Sequence, residues 1–231
     1  MLAYNAKARS DQVGFLCPDG SSFRQLTWKE FDAIVHSLAA SYSTVFRQQL
    51  IDGINLSCQP TVALLGVGHS AAYFATQLAL LKLGLRVLLL SPGNADVARD
   101  HLLATCNAVG LVVEEQLLHT TRGLGLPTVA LIDVPLSASK QDDAEILSFH
   151  SPDTWNSHSF IIHSSGTTGL PKPIIHTHRS LMMIARMYRV FPDFAIDNWY
   201  LAFPLWVCFG NRLSCCSNEA ADTTSAVSPS R

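Results

Sequence analysis

The chain has 231 residues, with 16 Lys and Arg against 18 Asp and Glu, a net charge of −2 and only 15% charged side chains. At roughly 150 residues per domain this is one large domain or one and a half. The charge is too sparse for a solvated disordered chain and too balanced for a nucleic-acid footprint. With 48% hydrophobic residues, strands buried on both faces are expected, and with them an α/β fold.

The longest apolar run, Leu78 to Leu90, has 13 residues and carries Lys82 and Arg86, whereas a spanning helix needs about 20 apolar residues. No membrane segment is therefore expected. The N-terminal MLAYNAKARSDQ has no apolar stretch behind its basic residues, so no secretory signal is expected and the location is read as cytoplasmic. The six cysteines show no C-x-x-C spacing and read as buried small residues.

In chain order, Thr27-Trp28-Lys29-Glu30 has the capping-box pattern. Phe31, Ile34, Val35, Leu38, Ala39 and Tyr42 follow at helical spacing, which predicts a first long helix with one apolar face. Thr61 to Val67 reads as a buried strand, Ser70 to Leu83 as a helix stopped by Gly84, and Leu85 to Leu90 as a second buried strand. Ser91 to Asn94 is a turn. Ala95 to Ala108 supplies another crossover helix, Leu111 to Val113 a third strand and Thr128 to Val134 a fourth. Strands alternating with helices imply a layered, largely parallel sheet. Pro135 to Ser159 is polar and predicts an exposed connection. Then come a strand at Ser159 to Ile162, a Ser/Gly/Thr-rich loop at Ser164 to Lys172, a strand at Pro173 to His176 and a helix from about His178 to Arg189. Asn198 to Leu205 is a further strand candidate, and Gly210 to Arg231, without apolar periodicity, reads as a disordered tail.

The loop is the most informative stretch. Gly166 and Gly169 allow tight folding, so that successive N–H groups can point at one anion. Ser164, Ser165, Thr167 and Thr168 add hydroxyl donors, and Lys172 adds a mobile positive charge. The set predicts a phosphate cradle. It is not a Walker A loop, because Leu170-Pro171 separates Gly169 from Lys172.

The run SSGTTGLPK, followed by Thr177-His178, resembles the signature of the adenylate-forming (AMP-binding) superfamily of acyl-CoA synthetases, luciferases and nonribosomal peptide synthetase adenylation domains. Leu26 to Phe31 resembles the family's early helix start, and Ala79 to Gly84 with Leu90-Ser91-Pro92 resembles its second block. The form LGLRVLLLSPGN, with Pro173 where most members have Gly, is most similar to fungal synthetase-like carboxylate reductases. The resemblance implies a partial adenylation domain over residues 1–209 and a tail over 210–231.

It further implies ATP-dependent adenylation of a carboxylic acid, in secondary metabolism, with ATP and Mg2+ as cofactors. The acyl group would pass to CoA or to a phosphopantetheine carrier protein. Ser164, Ser165, Gly166, Thr167, Thr168, Gly169 and Lys172 would then bind the pyrophosphate end of ATP, with Lys172 neutralising charge as pyrophosphate leaves, an electrostatic role.

The family's Pro-Leu-Phe-His block appears as Pro204-Leu205-Trp206-Val207, with Val207 in the His place. The family's adenine-binding Tyr-Gly-x-Thr-Glu block, ribose-binding Asp and C-terminal catalytic Lys have no counterpart. A truncated, inactive product that at most binds nucleotide is therefore the second expectation. A third reading, a dinucleotide-binding oxidoreductase, takes Gly66-Val67-Gly68-His69-Ser70-Ala71 as G-x-G-x-x-A, but no acidic residue ends the next strand to bind a ribose. His163, His176 and His178, the latter two placed on one face of a strand, have no nearby acid or Cys to complete a metal site. They read as hydrogen-bonding residues beside the loop.

Overall fold

The computed structural model describes residues 2–19, 22–68, 70–132, 146–164 and 169–183. The elements run α1 (Leu2–Ala8), β1 (Val13–Asp19), β2 (Ser22–Thr27), α2 (Trp28–Val45), α3 (Arg47–Asn55), β3 (Thr61–Leu65), α4 (Ala71–Lys82), β4 (Arg86–Leu90), α5 (Asp96–Thr105) and β5 (Ala108–Val113). After a 3-10 turn at Glu115–Thr121 come β6 (Thr128–Ala130), β7 (His158–His163) and β8 (Pro173–Thr177). β1 and β2 form a separate antiparallel hairpin. The main sheet has six strands in the order β6-β5-β3-β4-β7-β8, parallel throughout except for the antiparallel pair of β7 and β8.

Both faces of this sheet are covered. Val62, Leu64, Val87, Leu89, Val112, Phe160 and Ile162 face one core with α2 and α4. Their alternates Ala63, Leu65, Leu88, Leu90, Leu111, Val113 and Ile161 face a second core with Leu102 and Leu103 of α5 and Cys106 just after it. The period-2 alternation of strand side chains thus sends apolar groups to both sides, which accounts for the uninterrupted hydrophobic runs.

The helix signals work through their hydrogen bonds. Thr27 caps α2: its hydroxyl accepts the Glu30 N–H at 3.2 Å, while the Glu30 carboxylate accepts the Thr27 N–H at 2.8 Å. The apolar stripe expected on α2 is buried throughout. Ser70 caps α4, accepting the Tyr73 N–H. Gly84 ends that helix at a φ of +74°, with the Leu85 N–H returning to the Leu80 carbonyl.

The connection expected to be exposed from Pro135 to Ser159 is exposed at His150 and over 152–156, but not along all of its described length. Residues 133–145 lie outside the described residues, but Phe149 and Ser159 are buried, and the Phe149 N–H donates to the Leu83 carbonyl at 2.8 Å. The Phe149 carbonyl oxygen lies 1.9 Å from where a Cβ on Gly84 would stand, so the segment docks where that glycine leaves room. The strand expected at Asn198 to Leu205 and the tail from Gly210 also lie outside the described residues. Among the described residues no helix is long and apolar enough to cross a membrane.

Candidate functional site

The parallel strands β3, β4 and β7 deliver their carboxyl ends to one edge of the sheet, where the turns after them meet. In open α/β sheets this edge is where ligands bind. The loop Ser164 to Lys172 leaves β7 there and returns as β8. Its base is closed by two bonds: the Ser164 N–H donates to the Lys172 carbonyl at 3.1 Å, and the Lys172 N–H donates to Ser164 Oγ at 3.2 Å. Pro171 is buried and anchors the return, while Lys172 stays exposed. Pro173 opens β8 opposite His163, a strand-start position that tolerates a missing N–H. Ser165, Gly166, Thr167 and Thr168 lie outside the described residues.

Among the described residues, no atom lies within 4 Å of the position a Cβ on Gly169 would take, and the φ of Gly169 is not in the left-handed region. Neither packing against the described residues nor backbone conformation demands glycine there. The open space beside the main chain is what a closely approaching ligand would use.

His163 sits half-buried under the loop. Its Nε2 lies 3.1 Å from the Asn94 side-chain nitrogen, and its Nδ1 lies 3.3 Å from the Ser164 carbonyl oxygen. Burial holds its pKa below the usual histidine range, outweighing the Ser164 carbonyl that favours the proton. Burial acts in the same direction on His176 and His178, and on His158, where Arg86 adds to it. His176 and His178 do not share a strand face: β8 ends at Thr177, and His178 opens the helix described over 178–183. Thr177 caps that helix in a reciprocal pair with Ser180. Among the described residues no group of three or more His, Cys, Asp or Glu side chains could hold a metal ion.

The second glycine motif has a different fate. The chain leaves β3 through α4 on one face and enters β5 from α5 on the other, so the crevice between the ends of β3 and β5 is a topological switch point. Glu114 fills it. Its carboxylate accepts the Val67 N–H at 2.9 Å and the Gly68 N–H at 3.4 Å, and Gln116 Nε2 donates to it at 2.8 Å. A Cβ on Gly66 would stand 2.7 Å from that carboxylate. The amides a dinucleotide phosphate would need are taken by the protein's own acid, which argues against the oxidoreductase reading.

Two residues that support this edge, Asn94 and Glu114, escaped the sequence reading, and so did Gln59 at the opposite, amino-end edge of the sheet. The Gln59 amide donates to the Gly84 and His158 carbonyls and accepts the His158 N–H, tying β7 to the start of the sheet. Each reaches at least one partner 25 or more residues away, and no local spacing announces such a pairing.

The AMP-binding enzyme family model matches residues 2–219. The chain belongs to the AMP-binding enzyme family. Among its AMP-binding relatives, it is 29% identical over 250 residues to an adenylate-forming reductase of Aspergillus terreus, covering 93% of this chain and 22% of that protein. It is 28% identical over 187 residues to adenylate-forming reductase Nps10 of Heterobasidion annosum, covering 72% of this chain and 17% of that protein. The chain therefore spans less than a quarter of the length of these relatives. Its fold is similar to Bacillus subtilis o-succinylbenzoate CoA synthetase. The AMP complex of that enzyme superposes with a TM-score of 0.70 at 18% identity, covering 90% of this chain and 50% of that one. Its complex with ATP and magnesium ion gives 0.68 at 17% identity, covering 90% and 52%. The mostly parallel α/β sheet is thus that of the N-terminal part of adenylate-forming enzymes.

Proposed function

We propose that this chain is the nucleotide-phosphate-binding part of an enzyme that adenylates a carboxylic acid, with residues 1–209 as the adenylating part and 210–231 as a tail. In the reaction a carboxylate oxygen attacks the α-phosphorus of ATP. The bond from that phosphorus to the bridging oxygen breaks, and acyl-adenylate and pyrophosphate form. A thiol of CoA or of a phosphopantetheine carrier protein then takes the acyl group and releases AMP. The acid is proposed to be one of secondary metabolism, after the resemblance of LGLRVLLLSPGN to fungal synthetase-like carboxylate reductases.

Ser164, Ser165, Gly166, Thr167, Thr168, Gly169 and Lys172 would bind the pyrophosphate end of ATP. The hydroxyls and main-chain N–H groups donate to phosphate oxygens, and the Lys172 ammonium offsets the charge that grows on pyrophosphate as the bond breaks. Mg2+ accompanies ATP in the complex of the B. subtilis synthetase, and the same pair is proposed for this chain. The loop supplies hydroxyls and an ammonium but no carboxylate, so no residue of this chain is assigned to hold the metal.

The observation that carries the reading is Gly169: a glycine that neither packing against the described residues nor φ requires, in a loop closed at its base by Ser164 and Lys172. Isothermal titration of the full chain with Mg-ATP and Mg-pyrophosphate tests it. Saturable binding is expected, weakened about tenfold or more by Lys172→Ala, as loss of a charge-assisted hydrogen bond implies. Gly169→Ala should weaken binding with an unchanged unfolding midpoint. Absence of binding to both ligands would overturn the proposal.

A further inference from the structure

We propose that Asn94 and His163 are positioning residues that set the conformation of Ser164 at the entrance to the phosphate loop. The inference rests on the phosphate-binding reading of that loop and adds to it a control element drawn from a different turn of the fold.

The geometry allows one neutral tautomer. The Asn94 side-chain nitrogen can only donate, so His163 Nε2, at 3.1 Å, must accept. The ring proton then resides on Nδ1 and donates to the Ser164 carbonyl at 3.3 Å. A His163 carrying both protons would leave two donors facing each other at Asn94. Burial of the ring keeps it neutral. Asn94 is fixed in turn by its own backbone: its N–H donates to the Ser91 carbonyl at 3.2 Å, and the preceding Gly93 N–H donates to Ser91 Oγ at 3.1 Å.

Ser164 is therefore held at three points. Its carbonyl accepts from His163, its N–H donates to the Lys172 carbonyl, and its Oγ accepts the Lys172 N–H. The bond to the ring fixes the direction of the Ser164 carbonyl where the loop leaves β7. Asn94, on the turn between β4 and α5, thus acts through His163 on the first peptide of the loop.

Long-range 1H–15N NMR of the full chain at pH 7.5 reads the tautomer directly. The expected result is a protonated Nδ1 and an unprotonated Nε2 on His163, with Asn94→Ala shifting the ring toward the other tautomer. Titration with Mg-pyrophosphate reads the consequence. Asn94→Ala and His163→Phe should each weaken binding about 3- to 10-fold, the scale of one hydrogen bond, and the double variant should lose little more than the worse single one. His163→Asn, whose side-chain nitrogen can replace the Nδ1 donor, should recover part of the loss. Asn94 lies in a surface turn, so its variant keeps the test available if His163→Phe does not fold. Binding weakened by Lys172→Ala but unchanged in Asn94→Ala would overturn the positioning role and leave the phosphate reading standing. Failure of the unmodified chain to bind Mg-pyrophosphate would overturn both.

Discussion

The carboxylate of Glu114, directly after β5, accepts the backbone N–H of Val67, directly after β3 and its glycine, at 2.9 Å. Two strand ends are thereby joined by a side chain rather than by a ligand. Removing this acceptor from the Val67 and Gly68 amides, the bond to the second being buried, costs on the order of 1–3 kcal/mol. Glu114→Ala should destabilise the chain by about that amount in urea unfolding. Glu114→Gln, which keeps one acceptor oxygen, should cost less. The same contact predicts that the unmodified chain shows no saturable binding of a nicotinamide dinucleotide, and saturation in such a titration would contradict the assignment of this crevice to Glu114.

Gly84 carries two demands that no other residue meets. Its φ of +74° is a left-handed conformation, and the Phe149 carbonyl oxygen occupies the place of a Cβ. Gly84→Ala should therefore cost at least about 2 kcal/mol, combining the left-handed penalty with displacement of the docked segment. Thermal unfolding checks this. A midpoint shift no larger than that of a neutral surface variant would mean that the segment around Phe149 moves aside without cost.

These cases mark what could be read from the chain itself. The capping box at Thr27, the stop at Gly84 and the apolar strands β3 to β5 were legible because each signal is local: a cap spans three residues, and a doubly buried strand is a short apolar run. The β1–β2 hairpin and α3 were not. Leu16 and Phe23 point outward, Pro18 weakens the strand pattern, and α3 buries only Leu50 and Gly53. The connection between β7 and β8 was legible from its run of Ser, Gly and Thr, which interrupts two apolar strands. The Asn94 and Glu114 contacts were not, because they depend on the order in which β5, β3, β4 and β7 lie side by side.

Ser43, on α2, holds the Leu147 backbone at both ends: its hydroxyl donates to the Leu147 carbonyl at 3.1 Å and accepts the Leu147 N–H at 3.0 Å. Ser43→Ala should cost about 1–2 kcal/mol, because both backbone groups lose their partner in a poorly hydrated site. Ser41→Ala is the control. Its hydroxyl only returns to the Ser37 carbonyl on an exposed face, so its effect should stay within about 0.5 kcal/mol. Equal losses in the two variants would show that the Leu147 clamp contributes nothing specific.

Acidification should weaken the fold in two stages. Burial holds the pKa values of His158, His163, His176 and His178 below the usual histidine range. Between the ordinary value of about 6.5 and those lowered values, the unfolded chain binds more protons than the folded one. Stability is then complete above about pH 6.5 and declines as the pH falls from there towards the folded-state values. Glu30 acts lower on the scale. The backbone N–H and then the hydroxyl of Thr27 favour its carboxylate form, so its contribution is present above the ordinary carboxylate value of about 4.3 and fades below it. Urea unfolding at pH 7.5, 5.5 and 4 should show the first loss by 5.5 and a further one at 4. His163→Asn should flatten part of the first step, and Thr27→Ala, which costs about 1 kcal/mol at neutral pH, should shrink the second. A stability profile flat from pH 7.5 to 5.5 would mean that the four imidazoles are free to take up protons in the folded chain, and the enclosure that keeps His163 neutral beneath the loop would have to be abandoned.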